Sequence, residues 1–112
     1  MKLFLSCIVL SAGLLAEDPP VRVSEADAKK AVLTRVNPEY PPMAKQMHLA
    51  GKVQVDAYID SDGNVDQVKV VNGNPLFIGA VTNAMKKWRF SPLQANGKTV
   101  RAVAGFVFDF KL

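Results

Sequence analysis

The sequence is poor in the residues that most chemistry needs. It has one cysteine and one histidine in 112 residues, too few for a tetrahedral metal site or a Cys–His nucleophile pair. No Gly-rich phosphate loop, no Gly-x-Ser-x-Gly elbow and no internal repeat occurs, so catalysis, a cofactor and a small-molecule substrate are not expected. Charge of one sign is also scarce. Lys and Arg total 14 against 10 Asp and Glu, a net +4, and the cations are scattered among acids instead of gathered into a nucleic-acid patch. What is present is an ordinary globular balance, 49% hydrophobic and 21% charged, enough for one small core. A compact binding module is what these absences leave.

The first sixteen residues read as a separate unit. Lys2 precedes a run from Leu3 to Leu15 without a charge, and Ala16 is followed by Glu17-Asp18-Pro19-Pro20. Charged start, apolar run and small residue at the cut are the layout of a signal peptide over residues 1–16. The competing reading is an uncleaved inner-membrane anchor. Length argues against it: Leu3 to Ala16 rises about 21 Å at ~1.5 Å per residue, short of the ~30 Å hydrocarbon core. Cleavage removes Lys2 and no acid, which lowers the charge from +4 to +3, and it removes Cys7, the only cysteine. A chain without cysteine suits an oxidising compartment.

Residues 17–32 read as a short tether. Glu17 to Val23 has no periodicity, and Ser24-Glu25-Ala26-Asp27 matches a capping box that would open a marginal helix running up to Thr34. Pro38, Pro41 and Pro42 stiffen the next stretch. A helix is expected from Pro42, with Met43, Ala44, Met47 and Ala50 on one face and Gly51 at its C′ position. The period then changes to two. Val53, Val55, Ala57 and Ile59 alternate with polar residues, a turn with Gly63 follows, and Val65, Val68 and Val70 return, which makes 52–71 a hairpin. Asn74 caps the next helix with Pro75 at its first position. Phe77, Val81, Ala84, Met85 and Trp88 recur at helical spacing until Pro92 ends the element. The last strand alternates through Ala102, Ala104, Phe106, Phe108 and Phe110. Helix, hairpin, helix and strand give an α+β fold: a three-stranded antiparallel sheet with two helices packed on one face.

Val36-Asn37-Pro38-Glu39-Tyr40-Pro41, then Ala44, Gly51-Lys52-Val53, Asp62-Gly63-Asn64-Val65, Gly73-Asn74-Pro75 and Ala84-Met85-Lys86-Lys87-Trp88-Arg89-Phe90-Ser91-Pro92 together resemble the C-terminal domain family of TonB. The resemblance spans residues 33–112. It implies a periplasmic, non-catalytic module of energy-dependent transport that grips the TonB box, a short extended segment of outer-membrane receptors, as an added strand at a sheet edge. The partner-binding residues it implies are Arg35, Val36, Asn37, Pro38, Glu39 and Tyr40, with Arg101, Val103, Phe106, Phe108 and Phe110 on a final edge strand. Arg89 is a candidate for an acidic partner group, against the plainer reading of a solvated cation. Pro41, Gly51, Gly63, Pro75, Phe77, Trp88, Phe90 and Pro92 are read as structural. Tyr40, Phe77, Trp88 and Phe90 match aromatic positions of the family, and core packing is favoured over binding for them.

Other clusters have plainer readings. Asp60-x-Asp62-Gly63-Asn64-x-Asp66 is a fragment of a calcium loop without its closing glutamate, so a hairpin turn is favoured. His48 has no second ligand nearby. Lys86, Lys87 and Arg89 read as a solvated helix end, not a nucleic-acid site.

The sequence also departs from the family. The family's membrane helix carries a Ser and, four residues on, a His; here Ser6 and Ser11 are followed at that spacing by Leu10 and Leu15. The spacer before the domain spans about 60 Å at ~3.3 Å per residue even when extended. Partnership with a full-length transducer or motor subunits, and the alternative of an envelope adaptor or self-associating homodimer that keeps the fold without energy transduction, both follow from that gap. Mass spectrometry of the processed protein is expected to read Glu17 as its first residue, and an intact Met1 overturns the signal-peptide reading.

Overall fold

A two-residue period in the last strand organises the whole sheet. The computed structural model describes residues 19–112, so the leader expectations fall outside the described residues. Within them, β8 (Ala102–Phe110) lies antiparallel to β3 (Gly51–Ile59), in continuous register from Gly51↔Phe110 to Ile59↔Ala102. β3 pairs on its other side with β4 (Val65–Asn72). These three strands form the expected antiparallel sheet, and the fold is α+β. Val53, Val55, Ala57 and Ile59 of β3 face Ala104, Phe106, Phe108 and Phe110 of β8 in one buried layer. Each buried Phe contributes roughly 1.5–3 kcal/mol.

Helix α3 (Pro75–Lys86) covers this layer with Phe77, Val81, Ala84 and Met85, and Asn74 Oδ1 accepts the Leu76 amide at 2.9 Å as its cap. Trp88, although it continues the helical spacing, lies beyond the C-cap Lys87 and turns into the core at 1% exposure. Pro92 therefore does not end the helix. The chain leaves it five residues earlier because β5 (Arg89–Phe90) pairs with β2 (Val32–Thr34).

The stretch read as a tether is built into the fold from Val21 onward. β1 (Val21–Val23) runs parallel to the start of β8, with Val21↔Ala102, Arg22↔Val103 and Val23↔Ala104, so the sheet has four strands in the order β1-β8-β3-β4. Three residues show no readable period, and their partner edge exists only once β8 is in place. The capping box forms: Ser24 Oγ accepts the Asp27 amide at 3.1 Å, opening α1 (Glu25–Lys30). This helix stops before Thr34 because Val32–Thr34 is drawn into β2. Ala28 on α1 is fully buried.

The helix at Pro42 is shorter than its apolar spacing suggests. α2 (Pro42–Gln46) buries only Ala44, and Met43 and Met47 are each 57% exposed. Its C′ position falls at His48, which takes φ 56°, while the Leu49 amide donates to Ala44 O and the His48 amide to Lys45 O. This is a Schellman end, and it displaces Gly51 into β3. A small ribbon, β6 (Gln94–Ala95) and β7 (Lys98–Thr99), turns at Asn96 and Gly97 with φ 54° and 79°, the type I′ signature.

The β3–β4 turn is held by Asp60, whose Oδ1 accepts the Asp62 and Asn64 amides at 2.9 Å each. Gly63 has φ 94°, donates to Asp60 O and receives the Phe90 amide on its carbonyl at 2.8 Å. A Cβ there would stand 1.9 Å from Phe90 O. Gly63→Ala is expected to lose about 1–3 kcal/mol from backbone strain alone. His48→Gly is expected to gain about 1 kcal/mol by relieving a left-handed non-glycine residue. Urea midpoints measure both, and the two should shift in opposite directions.

Candidate functional site

The extended segment 35–42 has few main-chain donors, because Pro38, Pro41 and Pro42 lack an N–H. Side chains fix it in place instead. The Trp88 indole N–H donates to Val36 O at 2.8 Å. The Arg35 guanidinium lies over the Trp88 ring, 5.2 Å from its centroid, an attraction of cation to ring face. The Tyr40 hydroxyl donates to Leu49 O, and its ring meets Phe77 and Phe110 edge-on at 5.8 and 5.6 Å. Phe77 and Phe110 stack at 4.3 Å beneath it. Trp88 meanwhile packs against Phe90, Phe106 and Phe108. Two aromatic groups of the core thus hold one rigid strip of chain.

That strip flanks the outer edge of β8. The Val21 amide donates to Arg101 O at 2.9 Å, which fixes the parity of the strand: Arg101, Val103, Gly105, Val107 and Asp109 turn their main-chain groups outward, and Ala102 to Phe110 at every second position turn theirs to β3. β1 ends at Val23, opposite Ala104. Beyond it, among the described residues, no strand pairs with the outward groups of Val107 and Asp109. A cleft of about 380 Å³ opens there, between Arg35, Asn37, Pro38 and Tyr40 on one wall and 107–111 on the other. Val107 is 49% exposed at its floor. Lys111 Nζ lies 3.7 Å from Asp109 Oδ2 at its mouth.

The residues expected to bind a partner are divided by this geometry. Arg35, Asn37, Pro38 and Tyr40 meet the end of β8 in the cleft. Val36 and Glu39 turn to the opposite side of the strip, where a second cleft of about 440 Å³ separates it from Leu76, Ala80 and Lys87 of α3 and its cap. Phe106, Phe108 and Phe110 are core residues whose main-chain groups are committed to β3, so they do not offer the edge themselves. Val103 is 6% exposed and Arg101 O is taken by β1, so the N-terminal half of the final strand is not an open edge. Arg89 lies away from the cleft and donates to Lys86 O and Trp88 O, closing the carbonyl end of α3. Val107 and Asp109, which were not among the expected binding residues, are the residues that present the edge. Alternation identifies them once one neighbour's hydrogen bond fixes which side is outward.

The geometry is that of a small α+β domain with an open strand edge beside a fixed extended wall. The profile of the family described as Gram-negative bacterial TonB protein C-terminal matches residues 36–112. The chain belongs to the TonB C-terminal family. It is 40% identical over 77 residues to Protein TonB of Pseudomonas aeruginosa, covering 67% of this chain and 22% of that protein. It is 36% identical over 84 residues to Protein TonB of Escherichia coli strain K12, covering 73% of this chain and 34% of that one. The chain therefore spans about a fifth to a third of the length of these curated relatives. The solution structure of the Pseudomonas aeruginosa TonB C-terminal domain superposes with a TM-score of 0.62 at 38% identity, over 72% of this chain and 84% of that one.

Trp88→Ala is expected to cost about 3–5 kcal/mol, because it empties the centre of an aromatic group and frees the strip. Tyr40→Phe keeps the ring contacts and loses one hydrogen bond, about 0.5–1.5 kcal/mol. Thermal melts rank the two, and a retained melting temperature in Trp88→Ala would place the indole outside the core.

Proposed function

We propose that this chain is a periplasmic, non-catalytic interaction module of the TonB type that takes up TonB-box segments of outer-membrane receptors in energy-dependent transport. The observation that carries this reading is the unpaired end of the β8 edge, Val107 and Asp109, lying against the fixed strip from Arg35 to Tyr40. An extended segment entering the cleft gains main-chain hydrogen bonds from β8, and its alternate side chains meet Val107, Tyr40 and the Arg35 cation. No cofactor takes part. Among the described residues no helix is long and apolar enough to cross a membrane. In this reading a full-length transducer or motor subunits are the partners that deliver pulling force to the domain. The envelope-adaptor reading keeps the same edge and fills it with a second copy of the chain by strand exchange.

Nitrogen-15 spectra during titration with a synthetic TonB-box peptide test this directly. Amide shifts are expected at Asn37, Val107 and Asp109, with the β4 edge undisturbed. The absence of any shift at millimolar peptide overturns the reading. A concentration-dependent dimer that ignores the peptide would support the adaptor instead.

A further inference from the structure

The outer edge of β8 already has an occupant. β1 covers Ala102 to Ala104 and stops, while the rest of the edge opens onto the cleft. β1 is the least firmly held strand of the sheet: three residues long, against nine each for β3 and β8, with Val21 38% exposed. Its side-chain grips are Val23, partly buried against the edge of the core, and Arg22, whose Nη1 and Nη2 donate to Asp56 Oδ1 and Oδ2 at 3.2 Å each. That fork lies on the solvent side of the sheet, with the two side chains 61% and 18% exposed. Water and salt screen it, so it holds weakly.

The seat of this fork is Gly105, the register partner of Asp56. Gly105 has no positive φ, so the backbone does not require glycine there. Space is what the glycine supplies. A Cβ at that position would lie 3.5 Å from Asp56 Oδ1 and 4.0 Å from Arg22 Nη1, so any side chain longer than a methyl would contest the ground the guanidinium crosses.

We infer that β1 is a displaceable latch, a built-in strand that holds the Arg101–Ala104 half of the β8 edge until an incoming strand replaces it. This rests on the reading of that edge as the docking site. The edge then has two lengths. With β1 seated, a partner pairs only with the main-chain groups around Val107 and Asp109. With β1 released, pairing extends back through Gly105 and Val103, which doubles the number of outward residues on offer. The ion pair of Arg22 with Asp56 sets how readily the short edge becomes the long one.

The test uses the full chain and two variants, Arg22→Ala and Val23→Pro, the second deleting the amide that parallel pairing aims at Val103 O. Hydrogen exchange without peptide reads the latch itself. The Val21 and Val103 amides should exchange about two- to fivefold faster in Arg22→Ala, the range an exposed ion pair commands. They should exchange faster still in Val23→Pro, with the β3–β4 hairpin unchanged. Titration with a synthetic TonB-box peptide should show tighter binding in the same order, and the Val21–Val23 signals of the unmodified chain should move to free-chain positions at saturation. Unchanged exchange in both variants overturns the latch, as does peptide binding that leaves Val21 paired with Ala102. Accelerated exchange with no peptide binding by any of the three proteins supports the latch and overturns the receptor-segment reading alone.

Discussion

The two-residue period of a β-strand constrains side chains and main chain together, and in β8 that coupling governs the molecule. Phe106, Phe108 and Phe110 must share one face, and they face the helices because that burial outweighs any other use of three phenyl rings. The register that buries them also commits their amides and carbonyls to β3. The intervening residues are left to present the opposite edge. Core and candidate site are therefore two consequences of one alternation. A one-residue slip would expose the rings and reverse the offered edge at the same time.

The second determinant is the tie between the core and the strip from Arg35 to Pro42. A segment rich in proline cannot build its own ladder, and a strip without hydrogen bonds would ordinarily move freely. Here the indole N–H of Trp88 and the hydroxyl of Tyr40 supply the fixing points from side chains that are themselves packed among Phe77, Phe106, Phe108 and Phe110. The aromatic residues thus serve the fold and the cleft together. Their rings are buried, and their polar tips position the wall that an added strand would meet.

Membership of the TonB C-terminal family fits this economy. The matched part of the relatives is the part that folds as this domain, and the chain spans only a fraction of their length. Recognition by a strand edge needs few special side chains, which is consistent with a sequence so poor in cysteine, histidine and clustered charge. The short parallel strand at the start of the domain adds a feature of its own, since it shares the edge that the fold otherwise leaves open.

Much of this was legible in the residues themselves. Alternation gave β3, β4 and β8, capping residues gave the starts of α1 and α3, and the turn at Gly63 was readable from its composition, because each depends on neighbours within a few positions. Misreadings fell where partners are distant. Val21–Val23 shows no period, yet becomes a strand once β8 supplies an edge. The spacing through Trp88 is helical, yet pairing of β5 with β2 breaks the helix before it. Met43 and Met47 sit at helical spacing, yet α2 ends too early to bury them. Arg89 looked like a free cation and is occupied by the carbonyls of α3. What the sequence alone determined is the three long strands, the starts of the helices, the buried faces of β3, β8 and α3, and the family. Only the tertiary structure decided which edge of the sheet stays open and what already occupies part of it. The reason is that strand pairing uses main-chain groups, which every residue carries, so the choice of neighbour leaves no mark on the amino acids that make it.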